Sequence, residues 1–203
     1  LGTAKQQELV QQYLDRVMQS AQRQVLIEAT IVEVSLKDQY RAGIDVDPTT
    51  VQPFPFGLKI VAGNAAAVEA QPTSVVAWSC GSGSVRDATP PQCPSDRNLR
   101  LWVTFPDCWN GADLDSADHR SHMAYSSAGA CPADHPVPVP QLQFGVEYPV
   151  TGNVDDLILA SGTVLTGHAD FYNAWDPDRL RREVENCLHR DVVCGVASGR
   201  TSG

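Results

Sequence analysis

The chain has 203 residues, 42% hydrophobic and 19% charged, with a net charge of −9 and an isoelectric point near 4.9. That is enough apolar sequence for a globular core, which excludes wholesale disorder. The acidity excludes a binder that tracks nucleic-acid phosphates, because such a protein needs a basic face, and no hydrophobic run is long enough to cross a membrane as a helix.

Residues 4–23 predict an amphipathic helix. Val10, Leu14, Val17, Met18 and Ala21 recur at helical spacing, while Lys5, Glu8, Asp15, Arg16 and Arg23 face elsewhere. The β-branched run RQVLIEATIVEVSL (23–36) then predicts a strand, with Val25, Ile27, Ala29 and Ile31 on one face. Asp38–Gln39 suits a turn into a second strand. The chain starts at Leu1 without a signal-peptide pattern, which is expected of a processed or truncated start. Within this segment Ala21–Ile44, AQRQVLIEATIVEVSLKDQYRAGI, resembles the secretins, the outer-membrane channels of type IV pilus and type II secretion systems. The resemblance implies a periplasmic or outer-membrane origin for residues 1–46. It implies no channel, because Gly-rich barrel hairpins do not follow.

From about Asp47 the texture changes to frequent Pro and Gly with short apolar runs between turn residues. Strands are expected at Leu58–Ala62, Ser74–Trp78, Leu99–Thr104, Leu142–Tyr148 and Asp156–Ala160. The fold class read from this is mainly β, a β-sandwich-like or irregular β domain with disulfides. An N-terminal helix-strand segment and one C-terminal helix complete it. That helix has Asp176 as cap, Pro177 in the first turn and a stripe of Leu180, Val184 and Leu188. Ala197–Gly203 reads as a frayed end.

Six cysteines lie in the C-terminal two thirds, with no CxxC and no zinc-finger spacing. Pairing sequence neighbours gives Cys80–Cys93, Cys108–Cys131 and Cys187–Cys194. Each bridge would stabilise its loop by roughly 3 kcal/mol and points to an oxidising, extracytoplasmic compartment.

A second resemblance covers residues 47–195. It is carried by PFPFGLKIVAGNA (53–65), VVAWSCG (75–81), NLRLWVTFPDCWNG (98–111), LDSADHRSHMAY (114–125), CPADHPVPVPQL (131–142) and SGTVLTGHADFYNAWD (161–176). These motifs resemble the C-terminal part of a domain-of-unknown-function family of secreted actinobacterial and fungal proteins, whose fungal members often sit beside WSC carbohydrate-binding modules. The resemblance implies a secreted or cell-surface protein with polysaccharide or cell-wall material as partner. Members usually carry a longer N-terminal half with further histidine motifs. The secretin-like piece stands there instead, so the chain reads as a composite of 1–46 and a truncated 47–203, joined within Tyr40–Asp47.

The residues with chemistry sit in two loop-like stretches. Asp118, His119 and His122 form a DHxxH pattern preceded by Asp113 and Asp115, and His168 and Asp170 form a second pair. On a strand, His168 and Asp170 would share a face. Such imidazole and carboxylate pairs suit a general base held by a carboxylate, or a divalent metal ion. They suit equally well the hydrogen bonding that holds turns together. His135 and His189 read as structural. Of the four tryptophans, Trp78 and Trp102 lie in strand-like runs and read as core. Trp109 and Trp175 adjoin the histidine motifs and could stack on a sugar ring. No G-x-S-x-G elbow and no phosphate loop is present.

Two functions follow as expectations. In one, a hydrolase or lyase uses His122, His168 and Asp170, supported by Asp118 and His119. In the other, a non-catalytic module binds its ligand on Trp109 and Trp175. A secretin-derived assembly fragment is the third reading, and it leaves most of the chain unexplained.

Overall fold

A computed structural model of the chain describes residues 28–31, as backbone, together with 46–190 and 192. The helix expected over 4–23, the turn at Asp38–Gln39 and the tail Ala197–Gly203 lie outside the described residues.

Strands dominate, in the order β1 (Glu28–Ile31), β2 (Lys59–Gly63), β3 (Val76–Cys80), β4 (Leu99–Thr104), β5 (Cys108–Trp109), β6 (Met123–Ala124), β7 (Val137–Pro138), β8 (Gln143–Tyr148) and β9 (His168–Tyr172). One α-helix follows, α1 (Pro177–Glu183). The strands form a four-stranded sheet of order β1-β8-β4-β3, a two-stranded ribbon β2-β9 and a small sheet β6-β5-β7. Among the described residues every pairing is antiparallel and no sheet closes into a barrel. The mainly β expectation is therefore correct. β1 lies in the stretch that resembles a secretin, and its backbone pairs with β8 from Glu28 opposite Glu147 to Ile31 opposite Phe144.

β4 shows how the sequence specifies the core. Leu99, Leu101 and Val103 alternate onto the inner face and are buried, at about 2 kcal/mol for each such side chain. Trp78 of β3 points the same way, opposite Leu101. Ile60 and Ala62 of β2 and Phe171 of β9 close the core from the ribbon side, joined by Phe54, Leu58 and Phe105. Phe105 packs edge-on against Phe144 at 4.8 Å and Phe171 at 6.1 Å between centroids. The ribbon can lie this close to β3 because Gly63 and Gly167 lack side chains. A Cβ on Gly63, whose φ is +76, would meet Gly167 O at 2.4 Å, and one on Gly167 would meet Val76 Cγ1 at 2.7 Å.

Trp78 and Trp102 are both buried as expected, but on opposite sides of the sheet. Trp102 lies on Gly145, where a Cβ would sit 2.9 Å from its ring. Arg86 and Arg100 flank that ring at 4.2 and 5.2 Å from its centroid, and its indole N–H donates to Ser79 Oγ at 2.8 Å.

The bridges Cys80–Cys93 and Cys108–Cys131 form as expected. Cys187 is buried and disulfide-bonded; the partner expected for it, Cys194, lies outside the described residues. Asp176 caps α1 by accepting from Arg179 N at 2.9 Å, and Leu180 and Val184 are buried, with Val184 opening a π-helical turn to Leu188. His189 then donates Nε2–H to Val51 O at 2.8 Å, a structural contact of the kind expected. One expected strand is corrected. Asp156–Ala160 holds turns instead, because Asn153 Oδ1 accepts from Asp155 N and Leu159 bridges to Gly162 within the same loop.

Candidate functional site

Loop 105–125 is laid along the edge of β2 that β9 leaves uncovered. Lys59 N donates to Leu114 O at 2.9 Å and Val61 N to His119 O at 3.0 Å. The Lys59 carbonyl accepts from His122 Nε2 at 2.7 Å. An edge strand leaves such groups without partners, and the loop supplies them one by one. The loop's far end is fastened by Asp107, a buried carboxylate that accepts from Ser126 N at 2.8 Å and Ser126 Oγ at 2.6 Å. Tyr125 donates its phenol to Thr104 O at 2.8 Å; burial first, and Asp107 second, push its pKa up to about 12.

Inside the loop the polar residues satisfy one another. His122 is 1% exposed and both ring nitrogens are occupied: Nε2 by Lys59 O, and Nδ1 by Ser116 Oγ at 2.8 Å. Asp118 Oδ1 accepts from Ser116 Oγ, Arg120 N, Ser121 N and Ser121 Oγ, all between 2.8 and 3.0 Å. The Ser121 amide, the Ser116 hydroxyl and the Arg120 amide hold its carboxyl well below the usual range. His119 sits at φ +56, uncommon for a residue with a side chain, and its Nδ1 lies 2.5 Å from Asp115 Oδ1. Asp115 Oδ2 accepts from Lys59 Nζ at 2.9 Å. His119 first and Lys59 second lower the Asp115 pKa to about 2. His135 Nε2 faces Ser121 O at 3.1 Å, and its Nδ1 lies 3.1 Å from Asp134 Oδ1, so it braces the same loop.

The second pair lies on the ribbon. His168 stands opposite Gly63, Asp170 opposite Val61 and Tyr172 opposite Lys59. Alternation puts these three on the outer face, while Ala169 and Phe171 pack toward the core. His168 Nδ1 faces Thr166 O at 3.0 Å, and the exposed Asp170 side chain makes no hydrogen bond or ion pair among the described residues. Among the described residues, no hydrogen bond joins His168 or Asp170 to His122, His119 or Asp118. No group of three or more His, Cys, Asp or Glu side chains among them could hold a metal ion.

The tryptophans differ in the same way. Trp109 is half-buried against the core and donates its indole N–H to Asp113 O at 2.6 Å. Trp175 is 54% exposed, just past the end of β9. Two aromatics that the sequence did not single out, Phe56 and Tyr172, are 56% and 55% exposed, and their backbones meet that of Trp175 at Asn173, which bonds to Gly57 and to Trp175 N. The readable signals for them were the Phe-Gly turn at 56–57 and the alternation of HADFY. A polar cleft of about 450 Å³ lies elsewhere, between Cys80, Asp96, Arg97, Asn98, Arg100 and Glu147, and is lined by none of the histidines, aspartates or tryptophans expected at a site.

No curated protein and no solved structure matches this chain. The family profile described as a domain of unknown function (DUF1996) matches residues 18–175, a span that takes in the secretin-like stretch as well as the histidine loop and the ribbon. The chain thus belongs to the DUF1996 family.

Proposed function

We propose that this domain is a non-catalytic module that binds extracellular polysaccharide. The observation that carries the reading is the contrast in availability: Trp175 stands half-exposed beside a ribbon face with a free carboxylate, Asp170, whereas His122 is enclosed with both nitrogens in use. An aromatic face next to hydrogen-bonding groups is what a sugar ring requires, since pyranoses present apolar C–H faces edged by hydroxyls. A general base must reach its substrate's proton, and His122 does not reach solvent. His168 and Asp170 serve in this reading as polar groups that orient the ligand. The disulfides suit an oxidising setting outside the cytoplasm.

The test is co-sedimentation of the oxidised domain with insoluble β-glucan, cellulose and chitin, alongside Trp175→Ala. Retention that falls on this substitution supports the reading, and retention that ignores it counts against it. The hydrolase or lyase reading has one observation in its favour, the 2.8 Å approach of Ser116 Oγ to His122 Nδ1. Assaying the same mixtures for released reducing ends separates the two. Release that is lost in His122→Ala, in protein that remains folded, would reverse the preference.

A further inference from the structure

We infer that Phe56, Tyr172 and Trp175 form one preorganised platform that stacks on sugar rings of a neutral polysaccharide; this rests on the glycan-binding reading above and names the surface responsible. The three residues come from two chain segments that the fold clamps together. Phe56 occupies the second position of the turn Pro55–Leu58, closed by Leu58 N donating to Pro55 O at 3.2 Å, with Gly57 at φ +85 in the third position. That is the pattern of a type II turn, which favours glycine there, and Phe56 at the position before it is 56% exposed. Tyr172 is fixed by its register opposite Lys59 on the outer face of the ribbon.

Asn173 joins the two segments. It is 1% exposed, and each of its polar groups is used. Its side-chain amide donates to Phe54 O and Pro55 O, both at 3.0 Å, and its Oδ1 accepts from Trp175 N at 3.3 Å. Its main-chain N donates to Leu58 O and its carbonyl accepts from Gly57 N, both at 2.8 Å. Asn173 thus holds the backbone before Phe56 and that of Trp175 through its side chain, and the backbone after Phe56 through its main chain, in fixed relation to Tyr172. A buried amide costs stability unless fully bonded, and this one is spent on fixing the chain that carries three exposed rings. Rings held by a rigid backbone lose little freedom when they bind, which favours affinity.

The rings are also unoccupied. Among the described residues none of the three stacks on another ring and none lies beneath a cationic side chain. Polar groups of both signs flank them: Lys59 beside Tyr172 in the register, and exposed Asp170 two residues along the same face. Aromatic faces edged by a hydrogen-bond donor and a free acceptor fit a hydroxylated ring. The net charge of −9 disfavours nucleic acid, anionic membranes and acidic glycans as partners, and an uncharged sugar carries no such penalty.

Isothermal titration of the oxidised full chain with cellohexaose, laminarihexaose and chitohexaose tests this. At least one hexasaccharide should bind, and Phe56→Ala, Tyr172→Ala and Trp175→Ala should each weaken it by about tenfold. Tyr172→Phe keeps the ring and should bind nearly as the parent does. The variants are surface truncations, and an unchanged melting temperature confirms that each is folded. If Phe56→Ala or Tyr172→Ala binds like the parent while Trp175→Ala does not, the platform is overturned and glycan binding stands. If no hexasaccharide binds, or Trp175→Ala binds like the parent, both fall.

Discussion

The histidine loop and the open end of the β2–β9 ribbon are neighbours, since Lys59 of the ribbon bonds to the loop through its amide, carbonyl and amine, yet they use their side chains in opposite ways. In the loop Asp115, Ser116, Asp118, His119 and His122 each bond to protein partners, both ring nitrogens of His122 among them, and part of that bonding secures the edge of β2. At the ribbon end the backbone is bonded through Asn173, while Phe56, Tyr172 and Trp175 stay uncovered. A dense cluster of His and Asp is therefore a poor guide to a site when its hydrogen bonds close on themselves.

Four measurements break or sharpen that contrast. Removing the Cys108–Cys131 bridge with paired Cys→Ala substitutions should cost about 3 kcal/mol in denaturant unfolding, because the bridge ties the base of the loop to the chain beyond it. A much smaller cost would mean that the loop is not part of the fold's framework. His122→Ala should cost about 2–3 kcal/mol, since it opens a cavity and leaves the buried partners on both sides of the ring unpaired. Unchanged stability would return His122 to the list of functional residues.

Acid comes next in size. Asp115 has its pKa depressed to about 2 from 3.8, so its contribution is complete above pH 4 and is lost as pH falls toward 2. Asp118 is shifted in the same direction and acts with the same sign. The protection factors of amides in residues 113–122 should fall over that interval, less steeply in Asp115→Asn. Protection that is flat from pH 4 to 2 would show that these carboxylates do not hold the loop. Smallest is the effect of Trp175→Ala on stability, which should stay within about 0.5 kcal/mol, as for other surface positions. A larger loss would mean that Trp175 packs as core and is not held ready for a ligand.

Much of the framework was legible because local pattern and tertiary environment agree. Leu99–Thr104 matches β4 residue for residue, since alternating apolar positions meet a one-sided core. Neighbour pairing of cysteines held for Cys80–Cys93 and Cys108–Cys131, as short loops close most readily. The cap at Asp176 was readable from its side chain and the proline after it. Asp156–Ala160 misled because an apolar triplet looks like a strand, while Asn153 offers the backbone a competing local bond. The site was less legible. Loop sequence reveals which groups are polar, but not whether a carbonyl such as that of Lys59, 63 residues before His122, will occupy them. Phe56 and Tyr172 gained their interest only from long-range pairing, Gly57 with Asn173 and Lys59 with Tyr172.

The seam between loop 105–125 and β2 has a further consequence, for solubility. With the loop docked, the amides of Lys59 and Val61 are engaged within the chain, and β2 offers no template to another molecule. If the loop lifts, that row of donors and acceptors is bared beside Ile60 and Ala62, and two copies can add to each other strand by strand. The histidine loop then acts as a guard against self-association. Its failure would register as concentration-dependent turbidity under acid or reducing conditions.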